Sequence, residues 1–378
     1  MAEAPLPTFD TPPSQDELFA RLRLARSRRV GPATFRRLIA EHGNARAALT
    51  ALPEVARAAG DTGYAPAEEG LVRREIRAAR RHGARLLTLG APGYPARLAE
   101  IADAPPVLWA RGEAAALSAP TVAIVGTRNA SSLALRMARS LGRALAEAGV
   151  TVVSGLARGV DTVAHDAALA GKTVAVHAGG LDRVYPAENV DLAGRIAKAG
   201  CNLSERPFGL APQARDFPRR NRIISGTAQV VVVVEAAAKS GSMITARNAL
   251  DQGREVMAVP GHPFDGRASG CNLLLRDGAA LVRGADDVLD LLDGLREGSA
   301  PKPKARPAPA TNRQPTSEVP LDTRVLDLLS PTPVAEDQLL AELGDAGPVD
   351  ARHLSARLSE LELSGRIERR AGGLLVRV

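Results

Sequence analysis

Between Thr121 and Asp161 the chain twice repeats one pattern: a short β-branched and apolar run, a glycine-bearing turn, and a helix-forming stretch. Thr121–Gly126 carries no polar alternation, which suits a strand buried on both faces of a parallel sheet. Ser131 can cap a helix running to about Ala148, with Leu133, Leu135, Met137, Leu141 and Leu145 as most of its apolar face. A second strand, Val150–Ser154, enters the turn Gly155-Leu-Ala-Arg-Gly159. Consecutive strand–turn–helix units place both turns at the carboxyl edge of one sheet, where open α/β folds bind ligands. Arg128 stands in the first turn and Arg158 in the second, and arginines beside helix N-termini make anion sites.

The same unit recurs downstream. Thr173–His177, Cys201–Ser204, Gln229–Glu235 and Glu255–Val259 are further buried-strand candidates. The five consecutive valines Val230–Val234 have little helix preference and suit a central parallel strand. Six alternating units imply a doubly wound α/β sheet of Rossmann-like type.

Around this sheet the 378 residues divide further. Residues 1–15 are rich in proline and polar groups and are expected to be disordered. Residues 16–90 read as a small domain of short helices, with fifteen basic and ten acidic residues over positions 1–90. Inside it, Val30-Gly31-Pro32 between helices resembles a helix–hairpin–helix, although a tight turn in a bundle with a solvated arginine face is the preferred interpretation of one short motif. The α/β domain is placed at 91–298, opening with an ordered, proline-restricted connector, 91–120, that contains the only tryptophan, Trp109. Residues 299–320, with six prolines and four basic residues, form an extended linker. In 321–378, helices at Thr323–Leu329, Ala335–Leu343 and Asp350–Leu363 precede a hairpin turned at Ala371-Gly372-Gly373, the plan of a winged helix. That segment carries seven basic and ten acidic residues, which argues against tight binding to duplex phosphates.

Charge and cysteine content narrow the function. The net charge of +7 makes a polyanionic partner plausible, but it is the difference of 49 basic and 42 acidic residues, so its placement matters more than its size. Cys201 and Cys271 form no disulfide framework and no CxxC pair, which points to a reducing, intracellular compartment. No signal-like segment and no 18-residue apolar run occurs, so no membrane partner is expected. Several enzyme templates fail. No GxGxxG follows a strand, and Ser154 stands where a ribose-binding acid would be needed. Gly171-Lys172-Thr173 imitates a phosphate loop but precedes its strand instead of following it. Asp161 and His165 share a helix face at i,i+4 without a third metal ligand, and Asp161 is well placed as a helix N-cap. No catalytic residue, metal site or cofactor is assigned.

What remains is a set of anion-binding features. Phe217-Pro218-Arg219-Arg220-Asn221-Arg222 puts three arginines and an amide on a helix start, with Arg219 and Arg222 on one face and Ile223 and Ile224 turned inward. Arginine forks match phosphate oxygens, and Phe217 could stack on a base. Lys239-Ser240-Gly241-Ser242 adds a cation and small donors after the valine strand. The expected phosphate-binding mouth is therefore Arg128, the Ser154–Gly155 turn with Arg158, Phe217 to Arg222, and Lys239 to Ser242, helped by backbone amides of Gly155 and Gly241.

These segments resemble the DNA-processing protein A (Smf) family. VGTRNAS, SGLARGVDTVAH, AGGLDRVYPAEN, SERPFG, FPRRNRIISG, VVVVEA, SGSMITA and VPG stand in that family's order across roughly 91–295. One departure is Leu133-Ala134-Leu135, where the family usually has an aromatic and a glycine. The resemblance implies an extended Rossmann domain that binds single-stranded DNA, dimerises, and loads the RecA recombinase during natural transformation, in the cytoplasm and without catalysis. A competing class is a nucleotide-binding enzyme that hydrolyses glycosidic bonds, for which Glu205 and Glu235 are the only carboxylates near strand ends. Leu273, Leu274 and Leu275 occupy consecutive helix positions about 100° apart, so at least one is expected at a dimer interface.

Overall fold

The structure, a computed structural model, describes residues 12–296, 321–329, 334–336, 339–340, 343, 351–370 and 374–377. The chain divides into two compact units, 1–302 and 303–378. The expected disorder of 1–15 falls mostly on residues outside the described ones, as does the whole 299–320 linker. Ser14 is ordered, and its Oγ accepts the Glu17 N–H to cap the first helix.

The first unit opens with four helices: α1 (Gln15–Arg26), α2 (Pro32–His42), α3 (Ala45–Ala58) and α4 (Glu69–Arg81). Their shared core joins Ala20 and Leu24 to Phe35, Leu38, Ile39 and Leu52. The opposite face of α1 packs through Leu22 against Val72, Val107 and Trp109. Two strands then enter the sheet, β1 (Ala84–Thr88) and β2 (Val107–Gly112), with the short α5 (Ala96–Ala99) between them. The helical region therefore ends near Arg81 and not at residue 90, and the proline-rich connector contains a strand. Trp109 explains why: it is 3% exposed, and its indole N–H donates to Glu75 of α4 at 2.6 Å, an anchor that only the folded chain supplies.

The doubly wound core follows as β3 (Thr121–Val125), α6 (Ser132–Glu147), β4 (Thr151–Ser154), α7 (Val160–Ala167), β5 (Thr173–Val176), α8 (Val190–Ala199), β6 (Cys201–Ser204), α9 (Asp216–Thr227), β7 (Val230–Val233), α10 (Gly241–Asp251), β8 (Glu255–Ala258), α11 (Ser269–Arg276), β9 (Ala280–Leu281) and α12 (Ala285–Arg296). The nine-stranded order is β1-β2-β6-β5-β4-β3-β7-β8-β9. Pairing is parallel from β6 to β9, and β1 and β2 run antiparallel at the other end. The valine run shows why such strands lack alternation. Val231 and Val233 enter the core under α9, α10 and α11, while Val230, Val232 and Val234 enter the one under α6, α7 and α12. Each fully buried valine contributes about 1.5–3 kcal/mol relative to exposure.

One local expectation changes. The Ser131 cap forms, with its Oγ accepting the Ala134 N–H, but Leu133 points to solvent at 59% exposure. Ala134, Ala138, Leu141 and Leu145 make the buried stripe instead. Small residues win because α6 lies close on α7: a Cβ on Gly142 would meet the Ala164 carbonyl at 2.7 Å.

The second unit contains α13 (Leu321–Leu328), β10 (Val334–Ala335), α14 (Ala351–Leu363), β11 (Ile367–Arg370) and β12 (Leu374–Arg377). Its sheet runs β10-β12-β11 over a core that includes Val325, Leu354, Leu358 and Leu375. Ala335 pairs with Leu374 as a strand residue and does not start a helix, but Glu336, Leu339, Leu340 and Leu343 of the expected 335–343 helix are helical; 337–338, 341–342 and the turn at Ala371 lie outside the described residues. No helix of the described residues is long and apolar enough to cross a membrane.

Candidate nucleic-acid interface

After β3 the chain moves stepwise to β4, β5 and β6 on one side; it then crosses back to β7 on the other. The crevice at this reversal, above the carboxyl ends of β3 and β7, is where doubly wound sheets bind ligands. A cavity of about 450 Å³ opens there. The β3–α6 turn supplies Thr127 and Arg128, α9 supplies Phe217 and Arg220, and the start of α10 supplies Ser240 to Ser242.

Arg128 is solvent-exposed and its guanidinium lies over the Phe217 ring, 5.3 Å from the centroid. The other neighbour of Phe217 is Tyr185, edge-on at 5.5 Å. Opposite them α10 begins with unused donors. Its N-cap Ser240 makes no side-chain cap, and the buried Ser240 Oγ has no hydrogen-bond partner among the described residues. The amides of a helix's first turn lack intrahelical acceptors, so this terminus leaves donors for an acceptor opposite an exposed arginine. Ser242 ties the turn in place, its hydroxyl donating to the Gly126 carbonyl at 2.6 Å. Lys239 is exposed beside it.

Other expected mouth residues have structural roles. Ser154 is fully buried and its hydroxyl donates to the Ile124 carbonyl at 2.6 Å. The Gly155 amide is also committed, donating to Asp161 Oδ2 at 3.1 Å. Asp161 is therefore not the N-cap of α7; Gly159 is, at φ 76, and Asp161 sits inside the first turn and also accepts the Ala157 N–H at 3.3 Å. Burial pushes its carboxyl above the usual range despite the nearby Arg220.

Arg220 is 6% exposed. Its Nη1 donates to the carbonyls of Gly155 and Val176, and its Nε to Asn221 Oδ1. Desolvation pushes its pKa down to about 10, so it remains cationic at neutral pH. Gly155 is required here, because a Cβ would stand 2.6 Å from that guanidinium. Asn221 is buried and donates to the Gly241 carbonyl at 3.3 Å, bridging α9 to α10. Arg222 is neutralised by Glu205 at 2.8 Å and Asp103 at 3.2 Å. Arg158 forms a two-pronged pair with Glu188 on the surface. Only Arg219 of the RRNR segment stays exposed, and it faces a different cavity.

Neither carboxylate candidate for catalysis stands free. Glu205 holds Arg222, and Glu235 accepts the Ser131 N–H at 2.9 Å. His165 is buried against the Thr173 hydroxyl at 2.7 Å, and no cluster of metal-ligating side chains occurs among the described residues. Cys201 and Cys271 are buried free thiols, pushed up to about 12 and about 11 by desolvation. In the third leucine position, Leu275 packs partly on the core, while Leu274 is 7% exposed within it and Leu273 is half-buried.

Sequence reasoning did not find Tyr185 or Asn189. Asn189 is buried and donates to the Leu156 carbonyl and the Thr162 hydroxyl, both at 2.8 Å. It thereby supports the 154–159 turn, where Leu156 holds φ 56, the left-handed region that non-glycine residues avoid. Both lie in the segment AGGLDRVYPAEN, but nothing in its composition says which turn it braces.

The geometry has relatives. Residues 85–293 match the family model of DNA recombination-mediator protein A, residues 15–78 its N-terminal helix–hairpin–helix domain, and residues 303–373 its winged helix domain. The chain belongs to the DNA recombination-mediator protein A family. The helix–hairpin–helix match overrides the plain-turn interpretation of Gly31-Pro32. The chain is 42% identical over 222 residues to DNA processing protein DprA of Bacillus subtilis, covering 58% of this chain and 75% of that one. The crystal structure of DprA from Streptococcus pneumoniae superposes with a TM-score of 0.61 at 32% identity, over 74% of this chain and 98% of that one. A structure of DprA from Helicobacter pylori, described for its single-stranded DNA binding mode, gives 0.52 at 30%, over 57% and 97%.

Proposed function

We propose that the switch-point cavity holds single-stranded DNA, and that this family member is a non-catalytic mediator that delivers the strand to the RecA recombinase. The observation that carries the proposal is the Arg128–Phe217 stack facing the uncapped start of α10. Phosphates lie against Arg128, Lys239 and the α10 amides, and the arginine plane over Phe217 supports a base. A recessed crevice suits a flexible strand, whereas a duplex needs a protruding element for its groove. The H. pylori relative's described binding mode and the recombination-mediator family support this reading. The same family resemblance supports cytoplasmic action in natural transformation. The ion pair of Glu205 with Arg222 and the engagement of Glu235 by the Ser131 N–H disfavour the glycosidic-hydrolase alternative.

A homodimer completes the proposal. Leu273 is half-buried, and Leu281 of the edge strand β9 is 45% exposed, as are groups a second copy would cover. Leu273→Glu is expected to give monomers in light scattering with the fold intact; Leu274→Glu is the wrong test, since Leu274 belongs to the core.

The deciding experiment measures binding of single- and double-stranded oligonucleotides across salt, with nucleotide turnover assayed on the same preparation. Arg128→Ala is expected to weaken single-strand binding most at low salt and to lessen the log–log salt slope by about 0.7. Wild-type binding by folded Arg128→Ala at every salt concentration would falsify the phosphate role.

A further inference from the structure

A second cavity of about 450 Å³ lies on the other side of α9, toward β5 and β6, between that helix and the start of α2. Arg220 is the one lining residue the two cavities share, so its buried side chain is the partition between them. The function proposed above makes no use of this space.

Its polar groups are unusually incomplete. Asp216 is 2% exposed; its Oδ2 accepts the Gln213 N–H at 2.8 Å, but Oδ1 has no hydrogen-bond partner and only a 3.3 Å ion-pair contact with Arg206 Nη2. Arg206 Nε and Arg222 Nη1 are buried and likewise lack partners among the described residues. An unmade hydrogen bond at a buried polar atom costs about 1–3 kcal/mol, more for charged groups, so a polar group bound beside these three atoms would be stabilised. His177 also lines it; its Nε2 is engaged by Asn202, and burial pushes its pKa down to about 4, leaving it neutral. Val30, Pro32 and Ile223 make its apolar wall, and the other charged groups that line it, Arg26, Asp103 and Glu205, are spent in ion pairs with Glu75 and Arg222.

One acceptor and two guanidinium donors beside apolar walls match the edge and faces of a nucleobase. A phosphate has a place as well. Arg219 is exposed at the rim, and the eleven-residue α2 follows its N-cap Gly31 with no side-chain cap. We propose that this second cavity is a nucleotide site, with the base edge on Asp216 and Arg206 and its phosphate between Arg219 and the start of α2. The inference rests on the single-strand reading for its natural source, the next nucleotide of a strand crossing the Arg219–Arg220 ridge. A free nucleoside monophosphate offers the same chemistry.

The full-length protein with Gly31→Phe tests it. Gly31 has extended backbone (φ −89) and a Cβ there meets nothing within 4 Å, so the ring fills the wall without strain. Oligothymidylate affinity is expected to fall about tenfold with the salt slope unchanged, the signature of a lost base contact. Binding of the four deoxynucleoside monophosphates, followed by saturation-transfer NMR, separates the sources. Loss of those signals in Gly31→Phe but not in Arg128→Ala identifies a free-nucleotide site; a loss confined to the oligonucleotide identifies a strand nucleotide. Parent-like binding of both probes by folded Gly31→Phe overturns the inference as an ordinary solvated crevice. Arg128→Ala then reports separately on the first cavity. If Gly31→Phe lacks the parent's thermal transition, Asp216→Asn replaces it, since the amide oxygen still accepts from Gln213. Several-fold weaker oligonucleotide binding is expected there, and none in the folded variant overturns the proposal equally.

Discussion

Arg128 and Arg220 both line the switch-point cavity, yet they are different kinds of residue. Arg128 is exposed and committed only to the face of Phe217. Arg220 is buried beneath it, its donors spent on two carbonyls and on Asn221. The difference teaches that an arginine cluster can be a site and the frame of that site at once. A cation reserved for phosphate must keep its donors free; one that holds strand ends together must spend them.

The largest expected effect breaks the frame. Arg220→Ala leaves Asp161 buried without its cation and two carbonyls without donors, and should cost about 3–5 kcal/mol in denaturant unfolding. Arg220→Lys should recover little, because one ammonium cannot span the same acceptors. A variant with a parent-like unfolding midpoint would erase the distinction drawn between the two arginines.

The floor under Arg220 also predicts a pH response. His165 and His177 fall to about 3 and about 4 in the fold, from 6.5 when unfolded, chiefly through desolvation. Between those values the unfolded chain binds more protons, so stability present above pH 6.5 is lost as pH falls. Each histidine should contribute a slope approaching 1.4 kcal/mol per pH unit, roughly. Asp161, raised by burial, opposes this at the acid end. His177→Gln should shallow the slope by about half, measured by unfolding at stepped pH; an unchanged slope would mean His177 takes no part.

Smaller effects belong to the mouth. Phe217→Ala should weaken single-strand binding by about 1–3 kcal/mol, nearly equally at low and high salt, while Arg128→Ala changes the slope. If both variants change the slope alike, the stacking role of Phe217 is mistaken. The smallest effect is expected at Arg158. Its surface pair with Glu188 should be dispensable, so Arg158→Ala should match the parent in thermal midpoint and in strand affinity at physiological salt. A large affinity loss there would return Arg158 to the mouth.

How far the site could be read beforehand differs residue by residue. Arg128, Phe217, Ser240 and Gly241 follow from strand ends and helix starts, which are local patterns, and the cavity lies where they predict. Ser154, Arg220, Asn221 and Arg222 stand out by residue type, but type does not reveal which donors are already taken. Glu205 and Asp103, the partners of Arg222, lie on other elements, and so does Asp161 near Arg220. Leu133 and Leu274 show the same limit for apolar groups, one exposed and one in the core.

The sequence by itself determined the layered α/β plan, because a run such as Val230–Val234 can be buried on both faces only in a covered parallel sheet. It also determined where the ligand-facing turns fall, since each strand ends in its own glycine-bearing turn. Tertiary structure alone decided that β1 and β2 extend the sheet, that Asn189 braces the Leu156 turn, and that Arg220 separates two cavities. The physical reason is range. Periodicity and capping act over a few residues, whereas burial and hydrogen-bond partnership are settled by groups far apart in the chain that meet only once it has folded.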